Sequence, residues 1–325
     1  MTKAGHWIGV DLGGTWVRVV LSNEKGRFAD RIGEKVDKSS AAAISEQIAR
    51  ITRLLCSRHN FSVKAVRGIG IAATGPLIQE KGVLIKPTNI PFDLVSLTKP
   101  ITEELEVPAC LINDCAGAAL GESTFGAAKG VDNFAYITIG TGIGCGAIVN
   151  GTLLLGKDGN GHEVGHFVID ADGKLICGCG KPGHWEGYCS GRNIPNFVRM
   201  RFKDMAAETV EASSLFKRVR GDLSKLVAAD LFAAAKKHDA LSLKLVSELG
   251  VLNAIGFANV ISAYDPSLMT VGGTVTLKNK RMIMSPIRKH VGRYTVNRVP
   301  EIAISPLGDD VGLYGAVATA IKYLS

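Results

Sequence analysis

Two short stretches of this chain share one uncommon pattern, and together they constrain its fold more than anything else in it. From Trp7 to Leu21, W-I-G-V-D-L-G-G-T-W-V-R-V-V-L is apolar up to Asp11, breaks at Gly13-Gly14, and turns β-branched again from Val17. From Phe134 to Asn150, F-A-Y-I-T-I-G-T-G-I-G-C-G-A-I-V-N repeats the device. A strand enters Gly140-Thr141-Gly142, a second leaves from Gly144, and Asn150-Gly151 turns the chain again. Strand, glycine turn, strand predicts a hairpin. A dinucleotide fold or a P-loop puts a helix after its glycines, and the first of these turns runs into sequence too β-rich for one. A single glycine hairpin is ordinarily just a turn. Two, one near the start of each half, suggest an internal duplication. Backbone N–H groups at Gly13, Gly14 and Thr15 suit phosphate oxygens, and Thr141 and Gly142 repeat the arrangement. Asp11, at the end of its strand, suits a hydrated Mg²⁺.

A third glycine element lies at Asp265–Thr276, D-P-S-L-M-T-V-G-G-T-V-T, an apolar strand closing on Gly272-Gly273. In isolation it is also what any strand terminator looks like. The length of 325 residues exceeds one ordinary core, so two lobes are expected. With 46% hydrophobic and 21% charged residues the chain reads as folded and globular. No apolar run approaches the ~20 residues of a membrane span, and strand-like sequence by Trp7 leaves no room for a signal peptide. Seven scattered cysteines, an odd number, suit a reducing compartment better than a disulfide framework, so a cytoplasmic protein is expected. The net charge of +8 is dispersed. Its densest region, Lys278–Arg298, carries no interleaved aromatic platform, which argues for a solvated face over nucleic-acid binding. A basic balance also suits an anionic small molecule such as a nucleotide.

The most specific chemistry lies between His166 and Glu186. His166 closes G-H-E-V-G-H, and Cys177, Cys179 and His184 follow in C-G-C-G-K-P-G-H-W-E. Two thiols and two imidazoles are a ligand set for tetrahedral zinc, and Gly178, Gly180 and Gly183 let so short a segment bend around one ion. A C-x-C pair alone would suit a redox dithiol equally well; four ligands with interleaved glycines favour zinc. Glu163 and Glu186 are not needed as ligands and stay available to a polar substrate. Elsewhere, Leu111–Glu122, L-I-N-D-C-A-G-A-A-L-G-E, reads as a strand end passing into an alanine-rich helix. Asn113 and Asp114 sit at the junction, where either can cap the helix.

These motifs, in this order, resemble the ROK family (repressors, open reading frames, sugar kinases). The resemblance rests on G-H followed by C-x-C-G-x-x-G-x-x-E and Ser190-Gly191, on the two glycine turns and on Asn113-Asp114. It implies an α/β, two-lobed actin–hexokinase-like (ribonuclease H-like) fold with a nucleotide and sugar cleft between the lobes. It also implies ATP, Mg²⁺ and a structural Zn²⁺, with His184 standing where the family usually has a third cysteine. By the same matching Asp114 is the catalytic base and Asn113 holds a neighbouring sugar hydroxyl. Thr74-Gly75-Pro76 stands where the family usually has Pro-Gly-Pro, so Gly75 is kept and Thr74 departs. Lys86–Phe92, K-P-T-N-I-P-F, nominates Asn89. Glu163, His166 and Glu186 complete the sugar contacts, while Gly272 and Gly273 lie against adenine and ribose. His162, where the family commonly has glycine, has no assigned role.

The expectation is an ATP-dependent kinase acting on the 6-hydroxyl of a hexose, most simply glucose. An N-acetylmannosamine or N-acetylglucosamine kinase is the alternative. A sugar-responsive repressor would need a helix-turn-helix ahead of a hairpin that already begins at residue 7, and intact Asp11, Asp114 and glycine turns argue against an inactive sugar-binding protein. The lobes are expected at 1–113 with 309–325, and at 114–308, in a homodimer or higher homo-oligomer. Helices are predicted at Ala41–Arg58, from the spacing of Ile44, Ile48, Ile51 and Leu55, at Val311–Leu324, and as a pair over Ala228–Ala263 meeting near Gly250.

Overall fold

The computed structural model describes residues 5–87 and 89–325. The first glycine turn joins β1 (His6–Leu12) to β2 (Trp16–Asn23), which pair antiparallel with Asp11 opposite Arg18. β3 (Phe28–Lys35) lies antiparallel on β2. After α1 (Ala41–Arg58) the chain returns as β4 (Val66–Ala73), parallel to β1. A meander of β5 (Leu77–Ile78), β6 (Val83–Ile85) and β7 (Leu94–Ser96), then α2 (Thr98–Leu105), leads to β8 (Ala109–Asn113), parallel to β4. α3 (Asp114–Phe125) follows without a break.

The second half begins again with β9 (Phe134–Ile139), β10 (Ile143–Val149) and β11 (Thr152–Leu153). Helices α4 (Glu186–Cys189), α5 (Ile194–Lys203), α6 (Ala207–Ala212), α7 (Ser214–Arg218), α8 (Ala228–Lys236) and α9 (Ala240–Tyr264) come next. β12 (Leu268–Gly272), α10 (Thr274–Lys278), α11 (Lys280–His290), β13 (Glu301–Ile304) and α12 (Val311–Leu324) complete the chain. The sheet orders are β3-β2-β1-β4-β8 and β11-β10-β9-β12-β13. Counted within each sheet, both read third, second, first, fourth, fifth. The duplication suggested by two glycine turns therefore extends to two whole sheets.

Period-two alternation builds the first core. Ile8, Val10 and Leu12 with Val17, Val19 and Leu21 face Ile44, Ile48, Ile51 and Leu55 of α1, all essentially without solvent exposure. The opposite side contributes Trp7 and Val20, which cluster with Leu313, Val317 and Ala320 of α12. Ser40 caps α1, its Oγ accepting from Ala43 N at 3.0 Å, so the predicted helix begins where a side chain satisfies its free N–H groups.

The chain forms two compact units, one running to Tyr136 and including Gly146–His162 and Ser305–Ser325, the other comprising Ile137–Cys145 and Glu163–Ile304. This differs from the division expected at residues 113 and 308, chiefly because α3 belongs to the first unit. Glycines decide it: a Cβ at Gly121 would lie 2.7 Å from Gly315 N, and one at Gly315 would be equally crowded by Gly117. α3 and α12 therefore touch backbone to backbone, an approach only glycine permits.

Two further expectations are corrected. The helices over 228–263 meet at Lys237–Asp239 rather than near Gly250: His238 takes a left-handed φ of 62°, and Asp239 caps α9 by accepting from Ser242 N at 2.8 Å. Gly250 lies inside α9, where a Cβ would collide with Pro286 of α11. α9 is also longer and more apolar than expected: it runs 25 residues, and an 18-residue stretch of it has a mean hydropathy of 1.5, enough by length and composition to cross a membrane. Within its own unit it is a core helix, with Trp185 packed edge-on against Phe257 and bonded through Nε1 to Asn253 Oδ1 at 2.9 Å.

Candidate active site

In the first unit the polar groups gather where β4 and β8 end. Asn113 caps α3 as the plain reading of the sequence expects, its Oδ1 accepting from Cys115 N at 2.9 Å and Ala116 N at 3.2 Å. That occupies the carbonyl end of the amide and leaves Nδ2 on the side of Gly75, 3.6 Å from where a Cβ there would stand. Asp114 is held at both oxygens: Oδ1 accepts from Cys115 N at 2.8 Å, and Oδ2 from the Thr74 hydroxyl at 3.0 Å. Burial raises the Asp114 carboxyl above the usual carboxylate range, with the negative charge of Asp11 adding to the rise. The Thr74 and Cys115 bonds oppose it without cancelling it. A carboxylate of this kind is a better proton acceptor than a free aspartate.

Gly75 joins Pro76 through a cis peptide bond. The segment after it is clamped by Asn160, whose Nδ2 donates to Leu77 O at 2.9 Å while its Oδ1 accepts from Leu77 N at 3.4 Å. Asn160 was missed in the sequence, since an asparagine in a glycine-rich loop carries no pattern of its own. Asn89 sits on the exposed β6–β7 connection with a φ of 71°, and its carbonyl accepts from Lys38 Nζ at 2.6 Å. Thr88 of that segment lies outside the described residues. His162 is buried.

The first glycine turn is closed by Gly13 N donating to Trp16 O at 3.0 Å. That N–H is thus spent within the turn, and Gly14 and Thr15 are the positions left to meet a phosphate. Asp11 is bound by Arg18, through Nη2 and through Nε at 2.9 Å. It also packs against the start of α12, where a Cβ at Gly312 would come within 2.9 Å of its carboxyl carbon. Arg18 was not singled out in the sequence, although the hairpin register that sets it opposite Asp11 follows from the turn.

In the second unit the four sequence-predicted metal ligands come together. The donor atoms of His166, Cys177, Cys179 and His184 all lie within 4.8 Å of one another, with Cys179 Sγ 3.3 Å from His184 Nδ1. Zinc bound by thiolates and imidazoles at about 2.0–2.3 Å needs donors roughly 3.5 Å apart, so slight contraction would suffice. Burial pushes the Cys177 thiol up to about 12, and a bound dication would draw it to the thiolate instead. Tyr188 steadies the segment, its OH donating to Asp170 and accepting from Leu175 N at 3.0 Å. His166 Nδ1 lies 3.7 Å from Glu163 Oε2, and Glu163 is nearly half exposed.

Glu186 is less free than expected. Its Oε2 accepts from Ile143 N at 2.8 Å, at the second glycine turn, and its Oε1 is 3.7 Å from Cys177 Sγ. Glu186 thus joins Cys177 to the glycine turn. A Cβ at Gly142 would come 2.5 Å from Glu186 Oε2, so this glycine makes room for a carboxylate, where the sequence suggested room for a phosphate. The turn is held further by Gly191 N donating to Gly140 O at 2.7 Å and Arg192 N to Thr141 O at 3.3 Å. Gly140 lies beside the Gly272-Gly273 element, a Cβ on it being 3.8 Å from Gly273 Cα. Thr141, Gly142, Gly272 and Gly273 therefore belong to one locality, as do Thr74, Gly75, Asn113 and Asp114.

Comparison with known proteins bears on the family and the fold. The chain is 36% identical to a glucokinase of Pyrobaculum calidifontis over 97% of its own length and 95% of the relative's. Its structure resembles that of a ROK family glucokinase from Streptomyces griseus, solved with glucose and AMPPNP, with a TM-score of 0.79, 29% identity and coverage of 98% and 100% of the two chains. A ROK family transcriptional regulator matches with a TM-score of 0.82 at 22% identity, over 97% of this chain and 78% of the regulator, a likeness of fold alone. The fold is thus the α/β, actin–hexokinase-like one that the paired hairpins imply. The ROK family domain matches residues 7–323, and the chain belongs to the ROK family.

Proposed function

We propose that this chain, an ATP-dependent hexose kinase, phosphorylates the 6-hydroxyl of glucose with Asp114 as general base. The observation that carries the choice of glucose is the full-length likeness to glucokinases, at up to 36% identity. What supports Asp114 is its place at the head of α3, held at both oxygens and with its proton affinity raised. As the sugar oxygen bonds to the γ-phosphorus and the bond to ADP breaks, Asp114 takes the hydroxyl proton. The Asn113 amide, Gly75, Asn89, Glu163, His166 and Glu186 would hold the remaining sugar hydroxyls. Unpaired donors facing an analogue that lacks a hydroxyl discriminate among sugars more sharply than shape does.

ATP would meet Gly14 and Thr15 at one turn, whose close Gly13 secures, Thr141 at the other, where Gly142 makes room for Glu186, and Gly272 and Gly273 beside it. Mg²⁺ bound with ATP offsets charge on the phosphates, and Asp11, already balanced by Arg18, would orient its water shell without binding it directly. Zinc would be held by His166, Cys177, Cys179 and His184, fixing the segment that carries Glu163 and Glu186 without touching ATP. A cytoplasmic homo-oligomer completes the reading.

Initial rates on glucose, mannose, N-acetylglucosamine and N-acetylmannosamine, in an ADP-release assay with MgATP, test it. Glucose should give the highest kcat/KM. A preference for either N-acetylhexosamine would replace the substrate and leave the kinase, and no ADP release with any sugar would sink the enzymatic reading.

A further inference from the structure

We propose that Thr74 is a positioning residue for the phosphoryl-acceptor step, its hydroxyl holding the Asp114 carboxylate in the orientation that accepts the sugar proton. The inference rests on Asp114 being the base. Thr74 follows the last residue of β4, and its own N–H donates to Leu12 O at 3.3 Å, so β1 fixes its backbone. A β-branched side chain has little rotamer freedom at χ1, so a fixed backbone also fixes the hydroxyl. That hydroxyl donates to Asp114 Oδ2 at 3.0 Å while Cys115 N holds Oδ1. With one donor per oxygen, the plane of the carboxylate is set by β4 on one side and by α3 on the other.

The bond also sets a balance of charge. The groups acting on Asp114 are Asp11 on β1, itself bound to Arg18, the Cys115 N–H on its own helix, and Thr74. Burial and Asp11 favour the protonated carboxyl, which cannot act as a base, whereas Thr74 favours the ionised one. Without the hydroxyl Asp114 would swing more freely and hold its proton to higher pH. Thr74 is exposed, so replacing it leaves the core unchanged.

The test compares Thr74→Val, which keeps the shape without the donor, Thr74→Ser, which keeps the donor, and Asp114→Asn, by steady-state kinetics with glucose and MgATP across acid and neutral pH. Thr74→Val should lower kcat about 10-fold, the scale of one lost hydrogen bond to a charged group, with little change in KM for glucose. The acid limb of its kcat profile should move to higher pH. Thr74→Ser should restore both. Wild-type kcat and an unmoved acid limb in Thr74→Val would overturn the inference, as would Thr74→Ser being equally impaired, since the loss would then come from shape. An active Asp114→Asn enzyme would instead remove the general base itself, and the inference with it.

Discussion

The Asn113–Asp114 junction and the His166–Glu186 segment hold their polar side chains by opposite means. The junction stands on regular structure: β8 is paired to β4, and α3 is packed against α12 through glycines. The segment has almost none, only the isolated bridges Val168 to His184 and Ile176 to Pro182, with Val168 and Ile176 both 58% exposed. Apart from Trp185 and Cys177, which are buried, apolar burial here is thin, so polar bonds or a metal must supply much of the order. One region is positioned by packing, whereas the other would be fixed by a metal held at its four donors. Removing chemistry at the first should spare the fold, whereas removing a ligand at the second should cost geometry and stability together.

The largest effect expected is at the junction. Asp114→Asn should lower kcat by roughly 10²-fold or more, the scale of a lost general base, with an unchanged melting temperature and retained glucose binding. Near-normal turnover would sink the role assigned to it. In the segment, Cys177→Ser should lose the metal, lower the melting temperature, and weaken glucose binding by roughly 10-fold to 100-fold, as when the support of a bound ion is removed. Metal analysis of the purified wild-type protein should find about one zinc per chain; finding none would end the contrast between the two regions.

Gly142→Val sharpens the comparison. The new side chain meets Glu186 before anything else, so ATP and glucose should both weaken, by about 10-fold each, from misplacement of groups near the reacting centre. Weakening of ATP alone would mean that the turn acts on phosphate independently of the metal segment. The smallest effect on activity should come from Gly121→Ala, where a methyl is forced between α3 and α12. Overpacking of this kind costs about 1–3 kcal/mol, read as a lower melting temperature with kcat nearly unchanged. A large fall in kcat would show that the head of α3 is more sensitive to its packing than its hydrogen bonds suggest.

Much of the fold was legible because its signals are local. Glycine turns between β-branched runs specify hairpins, and apolar spacing marked α1 closely. Gly250 does not break the helix: the α8–α9 boundary is set by the left-handed His238 and the Asp239 cap, which act locally but carry no strong sequence signal. The cluster of four donors was legible because they lie within a short, glycine-rich span. Arg18, Asn160 and the hydroxyl bond from Thr74 were not, since each acts on a partner brought near by the fold.

The sequence by itself determined which residue types were on offer: a carboxylate at the head of a helix, thiols and imidazoles in one glycine-rich span, and two glycine turns between strands. Only the tertiary structure decided how they are occupied. Asp114 Oδ2 faces Thr74, Asp11 faces Arg18, and Glu186 faces a backbone N–H, although 40, 7 and 43 positions separate the members of these pairs. Hydrogen bonds and charge act over a few ångströms of space, so the distances that set proton affinity and orientation exist only once strands have paired and helices have packed.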